Sequence, residues 1–310
     1  MDVRIRRAVE ADFPSVYRVW RAAAHPGRTS STTHDVTLPL LRLFRHERTT
    51  GALWIAEDGD VAVGYAAALV RSGIAFISEL FVAPDRQADG IGGTLLRQLM
   101  AAPATGYCTM SSTHPGALTL YVRAGLRPRW PHFFLTGTAG AVAQLPSAGV
   151  VAVPAGGDGA DVVAWDAEAC GRRRPEDHAY WQRVLGAVPL WFRRNADTLG
   201  YGYVRRCARE ATGGIDIRLG PMGVTASADS VACAGAAWRW AGTTAEPASA
   251  SSDEARYCIV VPEPHGALAP LLRAGFRISD TEIFCCSRDD LFRDPLMYLA
   301  PADPDGTSMF

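Results

Sequence analysis

The sequence predicts an α/β protein, α+β mixed in detail. Two tandem domains each combine β-strands with flanking helices. Three observations predict this. The chain has 310 residues, and a domain commonly takes about 150. A segment of the first half recurs 150 residues later. Both halves run through strands and helices in the same coarse order.

The repeat is read directly from the residues. Gly116, Ala117, Leu118, Arg123, Ala124, Gly125 and Arg127 return as Gly266, Ala267, Leu268, Arg273, Ala274, Gly275 and Arg277. These are seven identities in 12 ungapped positions. Each copy reads as a short helix, a glycine at its C-terminal end, and a strand.

In the first half, strand signals fall at 3–7, 53–57, 61–70, 74–82, 107–110 and 130–136. Helical periodicity falls at 12–24, 35–48 and 90–100. The second half gives strands at 150–153, 190–193, 201–206, 215–219, 257–261 and 277–286, and helices at 162–170, 175–185 and 227–240. The small, turn-rich stretch 138–149 reads as a linker between domains at 1–137 and 150–300. Residues 242–253 read as a surface loop and 301–310 as a tail.

Hydrophobic residues make up 48% and charged residues 20%, an ordinary globular balance. The net charge of −1 lacks the basic footprint of a nucleic-acid binder. All basic residues are arginine, a composition that GC-rich coding produces. The seven cysteines include no C-x-x-C pair, so neither a disulfide framework nor a metal site is expected. Asp2, Arg4, Arg6 and Arg7 break any signal-like apolar run, and no stretch approaches the ~20 apolar residues of a membrane span. A cytoplasmic protein, monomer or homodimer, is expected.

The informative segment runs from Ile77 to Leu96: a buried strand, a loop with spaced glycines, then a helix. Glycines let the backbone approach a ligand, and unpaired N–H groups at a helix start favour an anion. Gln87-x-x-Gly90-x-Gly92 resembles the acetyl-CoA motif of the GNAT N-acyltransferases. Glu79 to Pro84 is similar to that family's fourth strand. Ala117 to Leu126 is similar to its later helix, with Tyr121 at the tyrosine position. The resemblance covers roughly residues 1–136, and the second half matches in pattern, as in tandem GNAT proteins of actinobacteria.

The resemblance implies two tandem GNAT folds, each a mixed, mostly antiparallel, splayed sheet flanked by helices, and an acyl transfer from a pantetheine thioester to a primary amine by direct attack. Leu80, Phe81 and Val82 would pair with the pantetheine arm. Gln87, Ala88, Asp89, Gly90, Ile91, Gly92, Gly93 and Thr94 would hold the pyrophosphate. Tyr121 would protonate the leaving thiolate, and Glu79 would serve as base for the amine. A backbone N–H near Phe81 or Val82 would support the oxyanion. The donor would be acetyl-CoA or another acyl-CoA, with no metal, and the acceptor a small-molecule amine. Asp89 stands where the family usually has a basic residue. This leaves open weaker CoA affinity, offset by Arg86 or Arg97, or an acyl-carrier-protein donor in natural-product biosynthesis. A non-catalytic acyl-CoA-binding module is the other alternative.

His114 reads as a helix-entry residue. In the second copy Leu271 replaces Tyr121, no Gln-x-x-Gly-x-Gly occurs, and Gly220 to Gly223 reads as a short turn. That copy is therefore expected to be structural, packing on the first half and walling the acceptor pocket. Arg172, Arg173, Arg174, His178 and Trp181 read as a solvated helix start with one packed tryptophan.

Overall fold

The computed structural model describes residues 3–24, 38–156, 160–209, 214–243, 255–291 and 294–299. The chain divides into two compact units. One holds the residues up to Pro128 together with Cys285–Arg288. The other holds Arg129–Phe284 and residues from Asp289 onward.

The first unit contains β1 (Val3–Arg7), α1 (Phe13–Ala24), α2 (Leu38–Thr50), β2 (Ala52–Asp58), β3 (Val61–Arg71), β4 (Ile74–Val82), α3 (Ile91–Met100), β5 (Gly106–Ser112) and α4 (Pro115–Arg123). The strands lie in sequence order, antiparallel except for the parallel pair β4 and β5. Residues 63–69 of β3 are all buried, as a central strand covered on both faces requires. One face packs with β2 against α1 and α2: Phe13, Val16, Phe44, Leu53, Ile55, Tyr65 and Ala67 form one cluster. On the other face Gly64 leaves room for α3; a Cβ there would stand 3.2 Å from Ile91 and Leu95. The segment from Cys285 borders β5, where Ser287 N–H donates to Tyr107 O at 2.9 Å.

The second unit contains most of β6 (Arg127–Gly137), then α5 (Ala139–Ala143), β7 (Val151–Pro154), α6 (Ala160–Cys170), α7 (Pro175–Ala179) running on into a π turn, β8 (Val188–Arg194), β9 (Asp197–Ala208), β10 (Ile215–Val224), α8 (Ser230–Thr243), β11 (Ala255–Pro262), α9 (Leu268–Arg273), β12 (Arg277–Cys286) and β13 (Tyr298–Leu299). Its strand order is β12-β6-β11-β10-β9-β8-β7, with β13 added on β10. Trp238 of α8 stacks on Phe276 at 5.0 Å at the centre of its core. Gly137 is obligatory beneath that ring, since a Cβ would fall 2.6 Å from Phe276.

Three expectations are corrected. The stretch expected as a linker carries helix α5, capped by the Thr138 hydroxyl and anchored by Ala141, Val142 and Leu145 in the core. Gly220 to Gly223 is no turn but the continuation of β10, past an irregularity at a cis Gly220–Pro221 bond. Arg172, Arg174 and His178 do not form a solvated helix start. They are buried, with Arg174 and His178 gathered around the Asp166 carboxylate, while Arg173 is exposed and Trp181 is packed as expected. Residues 244–253 and 301–310, expected as loop and tail, lie outside the described residues.

Candidate functional site

The first unit forks at β4 and β5. Their pairing ends at Ile77 with Thr109, where the Thr109 hydroxyl donates to Ile77 O at 2.8 Å. β4 continues to Val82 along β3 alone. One residue of it is extra: Ala68 faces Ile77 and Ala67 faces Glu79, leaving Ser78 as a bulge. A bulge bends its strand and re-aims side chains. From Ser78 to Val82 the β4 edge toward β5 is therefore unpaired by strand. Leu80, Phe81 and Val82, the residues expected to meet a pantetheine arm, lie on it.

The spaced glycines stand at the far end of that edge. Gly90 caps α3 with φ +82°, and Ala88 also takes a left-handed φ of +73°. Left-handed residues in such a loop turn successive N–H groups into an anion-binding concavity. The first helical bond joins Thr94 N–H to Gly90 O at 3.1 Å. The N–H groups of Ile91, Gly92 and Gly93 precede that bond and have no partner within the helix. The amide and hydroxyl of Thr94 both donate to Gly90 O. The Gln87 side chain ties the loop back to Val82 O at 3.2 Å. Arg86 Nε lies 3.0 Å from Asp89, and Arg97 lies one turn into α3, exposed.

On the α1–α2 face, Glu79 is 2% exposed and accepts the Tyr65 hydroxyl at 2.9 Å. Glu47 of α2 is wholly buried, and the Ser78 hydroxyl donates to its Oε1 at 2.5 Å. Burial, far more than the opposing Ser78 bond, pushes the Glu47 carboxyl up to about 8. Burial and the neighbouring Glu79 and Glu47 hold the Tyr65 phenol far above its ordinary range. Sequence reasoning missed Glu47, Tyr65 and Ser78. The available signal was the polar pair Ser78-Glu79 inside an otherwise apolar strand. Glu47 gave none, sitting in the charged run Arg45 to Arg48.

Tyr121 is buried on α4. Its neighbour Leu120 reaches α3, lying 3.5 Å from where a Gly92 Cβ would stand, so α4 adjoins the cradle helix. His114 enters that helix as expected, its Nδ1 accepting from Gly116 N–H at 3.1 Å.

The second unit has the same fork differently filled. β10 and β11 pair in parallel up to Leu219 with Ile259. Beyond it β13 takes the β10 edge at Met222 and Gly223, and Val224 N–H donates to Met297 O at 3.0 Å. Before α8, Asp229 stands in ion pair with Arg194 at 2.6 Å. Leu271, at the tyrosine position, is fully buried in the core. A buried network centres on Asp166. Arg174 Nε lies 2.7 Å away, and the Tyr201 hydroxyl and His178 Nε2 lie at 2.6 and 3.0 Å. Arg174 holds this carboxyl far below its usual range against the opposing cost of burial.

Residues 49–127 match the family model of the acetyltransferase (GNAT) domain. No curated protein matches the chain in sequence. A solved structure of a proposed acetyltransferase from Pyrococcus horikoshii is 17% identical, with 96% of this chain and 92% of that one covered and a TM-score of 0.70. A tandem GNAT protein from the clavulanic acid biosynthesis pathway is 14% identical, with coverages of 92% and 98% and a TM-score of 0.62. A GCN5-related N-acetyltransferase from Sphaerobacter thermophilus is 18% identical, with coverages of 92% and 95% and a TM-score of 0.57. At these identities the three structures speak to the fold.

Proposed function

Since the chain carries the tandem GNAT fold and its residues 49–127 belong to the GNAT acetyltransferase domain family, an N-acyltransferase, we propose that the first unit moves an acetyl or other acyl group from acyl-CoA to the primary amine of a small molecule. The observation that carries this reading is the unpaired β4 edge running from the fork at Ser78 to the glycine cradle. An extended ligand can add to such an edge as a strand, with main-chain hydrogen bonds supplying affinity.

The pyrophosphate would rest on the amides from Gln87 to Gly93, where the helix dipole favours an anion. The pantetheine arm would lie along Leu80, Phe81 and Val82. The amine attacks the thioester carbon directly, and a main-chain N–H of the unpaired β4 edge supports the oxyanion. Tyr121 returns a proton to the leaving thiolate. Proton removal from the amine falls to the acidic face of β4, where Glu79 lies. Positioning and proton transfer supply the rate.

Arg86 pairs with both Asp58 and Asp89 beside the cradle, which softens the charge of Asp89 without cancelling it, so acyl-CoA is the donor proposed and an acyl-carrier protein the alternative. The duplicated sequence copies keep proposed limits of 1–137 and 150–300, while the packed units divide at Pro128 and α5 belongs to the second. The second is a structural copy whose donor edge is already filled by β13.

Calorimetry with acetyl-CoA and with an acetylated holo-carrier protein, followed by thiol release over an amine panel, tests the reading. Acetyl-CoA binding with amine-dependent thiol release is expected. Uptake of the carrier alone would reassign the donor, and binding without turnover on any amine would leave a binding module.

A further inference from the structure

We infer that Ser78 and Glu47 form the couple that removes the acceptor's proton: the Ser78 hydroxyl meets the amine at the fork, and Glu47 receives the proton through it. This rests on the reading that the β4 edge carries a pantetheine thioester.

Polarity along the edge places the chemistry. Phosphates belong at the cradle, next to Val82, so the arm runs back toward the fork and its thioester end lies near Ser78. At about 3.3 Å per strand residue, the four steps from Val82 to Ser78 span about 13 Å. Ser78 is the first residue beyond the last β4–β5 rung and the extra residue of the bulge. The residue is only half-buried, and its hydroxyl donates to a wholly buried carboxyl at 2.5 Å. Glu79 differs on both counts, being 2% exposed and already accepting from Tyr65.

The surroundings of Glu47 suit a base. Tyr65 faces it from β3, and Ser78 and Glu79 from β4. Tyr17 is the buried titratable residue of α1 in the adjoining core. Arg71, at the end of β3, directs Nη1 and Nη2 to Thr50 O and Oγ1 at 2.9 Å each. His46 and Arg48 flank Glu47 on α2, and His46 Nε2 stands 3.5 Å from the Thr50 hydroxyl. The carboxyl therefore titrates near working pH, where a base is most effective.

The step balances. The amine nitrogen bonds to the thioester carbon, and the C–S electron pair leaves on the thiolate. The N–H proton passes to Ser78 Oγ as the Ser78 proton passes to ionised Glu47. The thiolate takes a proton from Tyr121, and exchange with solvent restores both groups.

The test is the pH profile of kcat/KM with acetyl-CoA and an arylamine that stays neutral over the range. Wild type should rise through about pH 8. Glu47→Gln and Ser78→Ala should each lose the rise and at least about tenfold in rate at its top. Ser78→Thr should restore it, and acetyl-CoA affinity should stay unchanged in all variants. A Ser78→Ala enzyme with the wild-type profile overturns the couple, even if Glu47→Gln fails to fold. Wild-type turnover abolished by Glu79→Gln but untouched by Glu47→Gln also overturns it. No wild-type turnover on any amine overturns the functional reading, and the couple with it.

Discussion

Arg86 stands between Asp58 and Asp89, with Nη1 2.8 Å from the first carboxylate and Nε 3.0 Å from the second. One cation thus answers two anions next to the phosphate cradle. Asp89→Asn should tighten acetyl-CoA binding and Arg86→Ala should weaken it, each by about threefold at low salt, the scale of partly exposed ion pairs. Both effects should shrink at about 0.5 M salt, where screening shortens the reach of surface charge. Calorimetric titration at two salt concentrations checks the sign and the screening.

Tyr121→Phe keeps the buried ring on α4 and removes only the hydroxyl. Acetyl-CoA affinity should hold while kcat falls by about 10²-fold or more, the range for loss of a general acid. A rise in KM with kcat intact would instead mark Tyr121 as a packing residue.

Gly90 adopts φ +82° and Gly92 lies where an added Cβ would stand 3.5 to 3.7 Å from Leu120, Val82 and Leu80. The two glycines should therefore fail differently. Gly90→Ala meets open space but pays about 1–2 kcal/mol for a left-handed alanine, distorting the cap. Gly92→Val fits the fold poorly and fills the approach to the β4 edge. Acetyl-CoA affinity should drop about tenfold in the first and vanish in the second, with circular dichroism reporting the fold of each.

The fold was legible because hydrophobic period and glycine position are local signals. Residues 74–82 read as one strand, and Gly90 to Met100 as a helix behind a phosphate-type loop. Those marks point to the proposed cradle. The acidic face was less legible. Glu79 showed as a carboxylate on the right strand, but Glu47 belongs to the site only because the bulge at Ser78 turns a hydroxyl toward α2. Bulges are set by pairing register, which a single strand does not display. The second copy misled for a similar reason. Arg172 to Arg174 look solvated in sequence, and only tertiary packing brings Asp166 beneath Arg174. Likewise the short strand at Tyr298 has too few residues to announce itself.

His265 gives an acid limit to stability. It is 2% exposed, its Nδ1 accepts from Ala267 N–H at 3.1 Å, and burial lowers it to about 4, with Asp294 opposing. An unfolded histidine titrates near 6.5. Between those values the unfolded chain binds the extra proton, so stability rises with pH there. The contribution is complete above about 6.5 and is lost as pH falls toward about 4. His265→Asn should flatten that part of the melting-temperature curve between pH 4 and 7, whatever its effect at neutral pH. An unchanged slope would show that other groups set it.

The Asp166 network and β13 support one another, because Arg174 Nη2 donates to the hydroxyl of Tyr298 on β13 at 2.5 Å. Removing one partner of a buried ion pair leaves the other charge uncompensated, at about 3–5 kcal/mol. Asp166→Asn should therefore lower the melting temperature far more than Tyr298→Phe, which removes one hydrogen bond and leaves the pair intact. The same strand bears on ligand count. With β13 on the β10 edge, the edge that corresponds to the proposed donor edge is taken among the described residues. Acetyl-CoA should bind with a stoichiometry of one per chain, in wild type and in Tyr298→Phe alike. Two equivalents per chain in a calorimetric titration would mean that β13 yields its place to the ligand.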